Sequence, residues 1–176
     1  SAAMSSPPPA HLPTPAALID VARMQRNIAR MQSRLDALGV AFRPHVKTSK
    51  CWPVVQAQLA AGARGITVST LKEAREFHAA GVRDILYAVG IAPHRLGEVL
   101  ELRRAGSDLK IIADSREAAE QVAAFGLAHE HAFEVWIEID TDGHRGGVKP
   151  EEPLLLDLAA ALHNGRQTLG GVMTHA

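Results

Sequence analysis

The stretch FEVWIEID, residues 133–140, decides between the folds that this chain could adopt. Side chains alternate across a β-strand, so the stretch has two different faces. One face carries Phe133, Val135, Ile137 and Ile139, and the other carries Glu134, Trp136, Glu138 and Asp140. Strands of an open doubly wound sheet are usually apolar on both faces, because helices cover both. One apolar face and one polar face therefore favour a barrel with helices outside and charged side chains inside.

Short strands and single helices alternate along the chain on both sides of this stretch. The predicted strands lie at about 41–47, 65–69, 84–89, 109–113, 133–140 and 168–174. The predicted helices lie at about 20–38, 52–61, 71–80, 94–105, 115–126 and 151–163. Strands that are joined by single helices predict a parallel sheet with right-handed crossovers.

Six strands are compatible with two architectures. They would complete an open doubly wound sheet, but they would leave an eight-stranded barrel two βα units short. The polar strand face favours an incomplete TIM-like (β/α)8 barrel with about six of its eight units, formed by residues 16–176. Residues 1–15 are expected to be a tag and a disordered leader, because residues 5–15 carry five prolines.

Composition limits the classes of function. The chain has 176 residues, of which 47% are hydrophobic and 22% charged, as in soluble globular proteins. Lys+Arg and Asp+Glu both number 19, so no net charge favours a nucleic acid or a membrane surface as partner. No apolar run is long enough to cross a bilayer. The single cysteine, Cys51, excludes an internal disulfide and fits a reducing compartment, so we expect a cytoplasmic protein.

The first predicted strand carries three basic side chains on one face. Arg43, His45 and Lys47 alternate with apolar neighbours, so they point into the predicted barrel. Unpaired charge is costly there, and we expect Glu138 or Asp140 to share the interior with them. Such a cluster either binds an anion or contains a lysine that acts as a nucleophile, unless the strand is exposed and its charges are simply solvated.

Three motifs in order resemble those of a known enzyme family. The stretch RPHVKTSK at 43–50 resembles the lysine motif of the D-threonine aldolase and D-serine dehydratase group, which is related to the N-terminal domain of alanine racemase. The stretches EIDTDGHRGGV at 138–148 and GGVMTHA at 170–176 resemble two later strand-end motifs of that group. The resemblance extends from about residue 14 to residue 176 and implies a pyridoxal-phosphate enzyme on a TIM-like barrel.

The resemblance assigns roles to four residues. It implies that Lys47 carries the cofactor as a Schiff base and that His45 belongs to the cofactor-binding set. Arg145 would contact the cofactor's phenolic oxygen or the substrate carboxylate. His175 would be an acid/base group or would stack on the cofactor near the substrate's β-hydroxyl. Lys47 and His175 are therefore the expected catalytic residues.

The activity implied by the resemblance is a lyase reaction on D-3-hydroxy amino acids. Cleavage between the α- and β-carbons, as in D-threonine aldolase, would give glycine and an aldehyde. Loss of the hydroxyl with the α-proton, as in D-serine dehydratase, would give a keto acid and ammonia. The alternatives are an amino-acid racemase and a non-catalytic pyridoxal-phosphate-binding barrel protein.

Family members continue through two further barrel strands and a C-terminal β domain, which this chain does not contain. The aldolase and dehydratase branch holds paired divalent-metal ligands there, so we expect a metal in the full-length enzyme through residues absent here. Within residues 1–176 we predict no metal site, because His129 and His131 precede a strand on the face opposite the expected site. The full-length enzyme is expected to be a homodimer, and this chain alone to be inactive.

Overall fold

The computed structural model describes residues 10–144 and 146–175. Most of the predicted leader, residues 1–9, therefore lies outside the described residues, as does Arg145. No described helix combines the length and apolar character needed to cross a membrane.

Helices and strands alternate as predicted, except that no strand separates the first two helices. The helices are α1 (Val21–Ala37), α2 (Trp52–Ala61), α3 (Leu71–Ala79), α4 (Leu96–Arg104), α5 (Arg116–Ala128) and α6 (Pro153–Asn164), with one 3₁₀ turn at Pro93–Arg95. The strands are β1 (Ile66–Val68), β2 (Asp84–Gly90), β3 (Asp108–Ala113), β4 (Glu134–Glu138) and β5 (Thr168–Met173). Side chains of Asp20, Thr70 and Ser115 cap the first turns of α1, α3 and α5 by accepting backbone N–H groups.

The five strands form one parallel sheet in the order in which they occur along the chain. Each strand therefore lies beside its successor, and the connecting helices cover one face. Sequential parallel order is the order of a TIM-like barrel, whereas an open doubly wound sheet reverses its order near the middle. The predicted fold class is confirmed, and the described barrel is incomplete.

The predicted strand at 41–47 is wrong in extent. Within this segment only His45 forms a β-bridge. Its partner is Thr67 of β1, which is an edge strand of the five-stranded sheet. Pro44 has no N–H to donate, and its carbonyl accepts from the Thr67 N–H at 2.9 Å. The chain turns immediately afterwards, where the Lys50 N–H donates to the Val46 carbonyl. The segment thus keeps its place next to β1 but pairs over very few residues.

The core lies between the sheet and the helices, and the two faces of β4 are the predicted ones. Val135 and Ile137 are at most 1% exposed and belong to the apolar core. Glu138 is also buried, but it lies on the opposite, inner face of the sheet. The predicted register of residues 133–140 is therefore confirmed.

Glu138 lies in the interior as predicted, but it is not the carboxylate that pairs with Arg43. The Arg43 guanidinium forms two hydrogen bonds with the Asp84 carboxylate, at 2.7 and 3.0 Å, and does not pair with Glu138 or Asp140. Asp84 is the first residue of β2, so the pair lies at the amino end of the sheet. The alternation of side chains specifies the face on which a residue lies, but not its height along the barrel axis.

Candidate active site

Lys47 lies at the carboxyl edge of the sheet, two residues after the His45 bridge and inside a turn. Its side chain is exposed, while Val46 beside it is buried in the core. The carboxyl edge of a barrel sheet is where active sites of this architecture are found. The structure therefore offers a primary amine at that edge on a well-packed backbone.

His45 fixes the backbone of Lys47. Its Nδ1 atom accepts a hydrogen bond from the Lys47 backbone N–H at 3.2 Å. Burial lowers the pKa of His45, the positive charge of Lys47 lowers it further, and the negative charge of Glu73 opposes them. The imidazole is accordingly held neutral, with Nδ1 as the acceptor and its proton on Nε2.

His175 follows the end of β5 and contacts the end of β4. Its Nδ1 atom lies 3.1 Å from Oε1 of Glu138, whose side chain is only 10% exposed. His45 and His175 both lie at the carboxyl edge of the sheet, His45 beside β1 and His175 after β5. The structure thus brings together Lys47, His45 and His175, the three predicted site residues that it describes.

Arg145, the fourth predicted site residue, lies outside the described residues, but the loop that contains it is anchored on both sides. The Val148 N–H donates to the Glu138 carbonyl at 2.9 Å, and Asp140 accepts from the Gly143 N–H at 2.8 Å. Gly147 has a φ of +114°, and a Cβ there would lie 2.5 Å from the Glu138 carbonyl oxygen. Only glycine allows this close approach of the loop to β4.

Glu73 is a buried carboxylate at the same edge, and the sequence analysis missed it. It is 6% exposed and lies on α3, directly after β1. Its Oε1 atom accepts from the hydroxyls of Ser69 and Thr70 at 3.1 and 3.0 Å. Its Oε2 atom is buried and has no hydrogen-bond partner among the described residues. The signal in the sequence was the T-x-x-E spacing of Thr70 and Glu73, which is a capping box.

The histidines with metal-like spacing lie elsewhere. His129 stacks on Phe125, and His131 accepts a hydrogen bond from Arg103 at 2.7 Å. Among residues 10–144 and 146–175, no three His, Cys, Asp or Glu side chains converge as a metal site would require.

Comparison with known proteins identifies the family of this chain. The chain is 66% identical over 166 residues to D-threo-3-hydroxyaspartate dehydratase of Delftia sp. (strain HT23), an alignment that covers 94% of this chain and 44% of the relative. It is 33% identical over 153 residues to a D-threonine aldolase of Arthrobacter sp, covering 86% of this chain and 40% of the relative. The chain thus spans less than half the length of the curated relatives it matches.

A solved structure of the Delftia dehydratase superposes with a TM-score of 0.92 over 94% of this chain and 44% of that one. A further structure contains a variant of the same enzyme in the metal-free form. The family model for the N-terminal domain of alanine racemase matches residues 19–176, and the chain belongs to that family.

Proposed function

We propose that the protein containing this chain is a pyridoxal-phosphate-dependent lyase of D-3-hydroxy amino acids. The observation that carries the proposal is the exposed amine of Lys47, set on a backbone that a neutral imidazole fixes, beside a second histidine at the carboxyl edge of the sheet. The 66% identity to a D-threo-3-hydroxyaspartate dehydratase favours dehydration, and the relation to a D-threonine aldolase keeps retro-aldol cleavage as the second candidate.

The described residues fit the cofactor. Lys47, whose side chain is exposed, would hold the cofactor through a C=N bond to its aldehyde carbon, with release of water. The buried Oε2 atom of Glu73, which has no partner among the described residues, offers an acceptor for a polar group in the same region. When bound, pyridoxal phosphate withdraws electrons from the bonds at the substrate's α-carbon.

The remaining residues of the chain would bind and orient. His45 holds Lys47 in place and adds no second positive charge beside its amine, because its own pKa is lowered. His175 would hold or release a proton near the substrate hydroxyl, and Arg145 would bind the cofactor or the substrate carboxylate. We further propose that a divalent metal binds to parts of the full-length protein beyond these residues, in line with the metal-free form described for a variant of D-threo-3-hydroxyaspartate dehydratase.

Reduction with borohydride tests the proposal on the full-length protein. The protein is incubated with pyridoxal phosphate, reduced, digested and mapped by mass spectrometry. We expect the reduced cofactor on Lys47 and its loss in Lys47→Arg, whereas Lys50→Arg and Lys72→Arg should retain it. Reduced cofactor on Lys50, on Lys72 or on no lysine would contradict the assignment.

Product analysis then distinguishes the candidate reactions. D-threo-3-hydroxyaspartate, D-threonine and D-serine are supplied in turn, with and without a divalent metal. A keto acid with ammonia identifies a dehydratase, and glycine with an aldehyde identifies an aldolase. Interconversion of enantiomers alone would identify a racemase, and cofactor on Lys47 without any of these products would identify a non-catalytic carrier. Either of these last two outcomes contradicts the lyase proposal.

A further inference from the structure

We infer that Glu138 is a positioning residue that holds His175 in the tautomer with its proton on Nδ1, so that Nε2 is the proton-accepting atom of the site. The inference rests on the proposed function for its catalytic consequence, but the tautomer itself is a property of the protein alone.

The contact between the two side chains is direct and sheltered. Nδ1 of His175 lies 3.1 Å from Oε1 of Glu138, and the Glu138 side chain is 10% exposed whereas that of His175 is 30% exposed. An ionised carboxylate can only accept hydrogen bonds, so the shared proton belongs to Nδ1 of the imidazole. The other ring nitrogen, Nε2, then has a lone pair and no proton.

The backbone fixes the positions of both side chains. Glu138 is paired with Met173 across β4 and β5, and the Ile139 N–H donates to the Met173 carbonyl at 2.8 Å. On its other side Glu138 accepts from the Val148 N–H through its carbonyl. Adjacent strands therefore set the distance between carboxylate and imidazole, independently of any ligand.

The neighbouring His45 has the opposite arrangement. Its Nδ1 accepts from the Lys47 backbone N–H, so its proton lies on Nε2. One imidazole thus presents an N–H donor and the other a lone-pair acceptor at the same edge of the sheet. This difference assigns the two histidines distinct tasks: His45 can donate a hydrogen bond, and His175 can take up a proton.

The carboxylate also stabilises the charged form that follows. When Nε2 of His175 accepts a proton from a bound substrate, the ring becomes an imidazolium, and its Nδ1–H bond to Glu138 becomes charge-assisted. The Nδ1 proton stays on the ring, as carboxylate-bound catalytic histidines generally retain it. Glu138 therefore acts through His175 and needs no contact with the substrate.

The tautomers can be measured without cofactor. The full-length protein is labelled with ¹⁵N-histidine, and long-range ¹H–¹⁵N couplings report which ring nitrogen carries the proton, with assignments from His175→Gln and His45→Gln. We expect Nδ1–H at His175 and Nε2–H at His45. Glu138→Ala should convert His175 to Nε2–H, whereas Glu138→Gln should retain Nδ1–H because its amide oxygen still accepts.

Glu134→Gln is the matched control, since it removes a carboxylate from the same face of the same strand without contact to His175. This variant should leave the His175 tautomer unchanged. An Nε2–H tautomer at His175 in the unmodified protein, or no change in Glu138→Ala, would overturn the inference, whatever the borohydride experiment shows.

Kinetics test the catalytic consequence separately. Glu138→Gln should lower kcat by about 10²-fold, the usual contribution of a positioned acid or base, and should change KM by less than about threefold. The reason is that the amide keeps the tautomer but cannot stabilise the imidazolium. An unchanged kcat in Glu138→Gln and Glu138→Ala would contradict the positioning role. A cofactor that maps to Lys47 together with that result would leave the proposed function standing.

Discussion

Two groups of charged side chains lie at opposite ends of the sheet and are arranged in opposite ways. The amino-end cluster consists of Arg43, Asp84, Asp108, Lys110 and Glu134. The carboxyl-end cluster consists of His45, Lys47, Glu73, Glu138 and His175. In the amino-end cluster the Lys110 side chain is 9% exposed and has three carboxylates within 4.0 Å. In the carboxyl-end cluster the Lys47 side chain is exposed and forms no salt bridge within the part of the chain that the structure describes.

The difference supports a structural role for the amino-end cluster and the proposed chemical role for the carboxyl-end cluster. The Lys110 ammonium is buried and engaged by three carboxylates, so it is not available to a ligand. The Lys47 side chain is exposed and has no such partners among the described residues, so it can reach a ligand. Two lysines at opposite ends of one sheet are therefore expected to have opposite mutational phenotypes.

The pKa directions agree with this division. Burial alone would raise the pKa of Asp84, but hydrogen bonds from Arg43 and Lys110 lower it below its ordinary value, so the group stays charged. Burial and the charge of Lys47 lower the pKa of His45, so that group stays neutral. The amino end thus retains charge, and the carboxyl end retains a neutral imidazole next to its amine.

The largest expected effect is on activity, from Lys47→Met. We expect the proposed lyase activity to fall by about 10³-fold or more, because the proposed nucleophile is removed. The free energy of unfolding should change by less than about 0.5 kcal/mol, since the side chain is exposed. Steady-state assays and urea denaturation measure the two quantities. A large loss of stability would show that Lys47, like the residues of the amino-end cluster, stabilises the fold.

The next largest expected effect is a decrease in the free energy of unfolding caused by Lys110→Met. Removing this ammonium leaves three carboxylates without their shared partner, and we expect a loss of about 2–3 kcal/mol. The value lies below the range of about 3–5 kcal/mol for a fully buried pair because the carboxylates are partly exposed, Asp84 by 31% and Asp108 by 43%. Urea denaturation of the full-length protein measures it.

Lys72→Met is the control for this measurement. Lys72 is 82% exposed and lies 4.0 Å from Glu76, so its removal should cost less than about 0.5 kcal/mol. Equal losses for the two variants would contradict the distinction between a buried and a solvated ion pair.

Residue patterns predicted the faces of the strands better than the contacts between them. The alternation in residues 133–140 placed Glu138 correctly on the inner face. It did not predict Asp84 as the partner of Arg43, because that contact depends on the relative height of segments 41 residues apart. The first strand is shorter than predicted because Pro44 has no N–H to donate, a constraint that the prediction did not take into account. Packing between elements, which one sequence does not reveal, determined the rest.

A third prediction concerns the pH dependence of the stability that Asp84 of the amino-end cluster contributes. Asp84→Asn should lower the free energy of unfolding by about 1 kcal/mol at pH 7, because a partly exposed pair is lost. The pKa of Asp84 is lowered in the folded state, so its contribution is present above its ordinary pKa, about 4, and disappears as the pH falls through the folded value. Denaturation of both proteins at pH 7 and pH 3 measures the difference. A difference that stays constant with pH would contradict an electrostatic origin.

The smallest effect is a shift in the titration of His45. Because burial and the charge of Lys47 lower its pKa, the His45 ring signals should titrate below about 6.5 in the full-length protein without cofactor. Lys47→Met removes one of these two causes, so the His45 pKa should rise toward its ordinary value without reaching it, since burial remains. Lys72→Met, an equal loss of charge at an exposed helix position, should leave the titration unchanged. NMR titration of ¹⁵N-histidine-labelled protein measures all three. A His45 pKa that is the same in Lys47→Met and in the unmodified protein would mean that the imidazole and the amine are not electrostatically coupled, and the contrast between the two clusters would then rest on Lys110 and Asp84 alone.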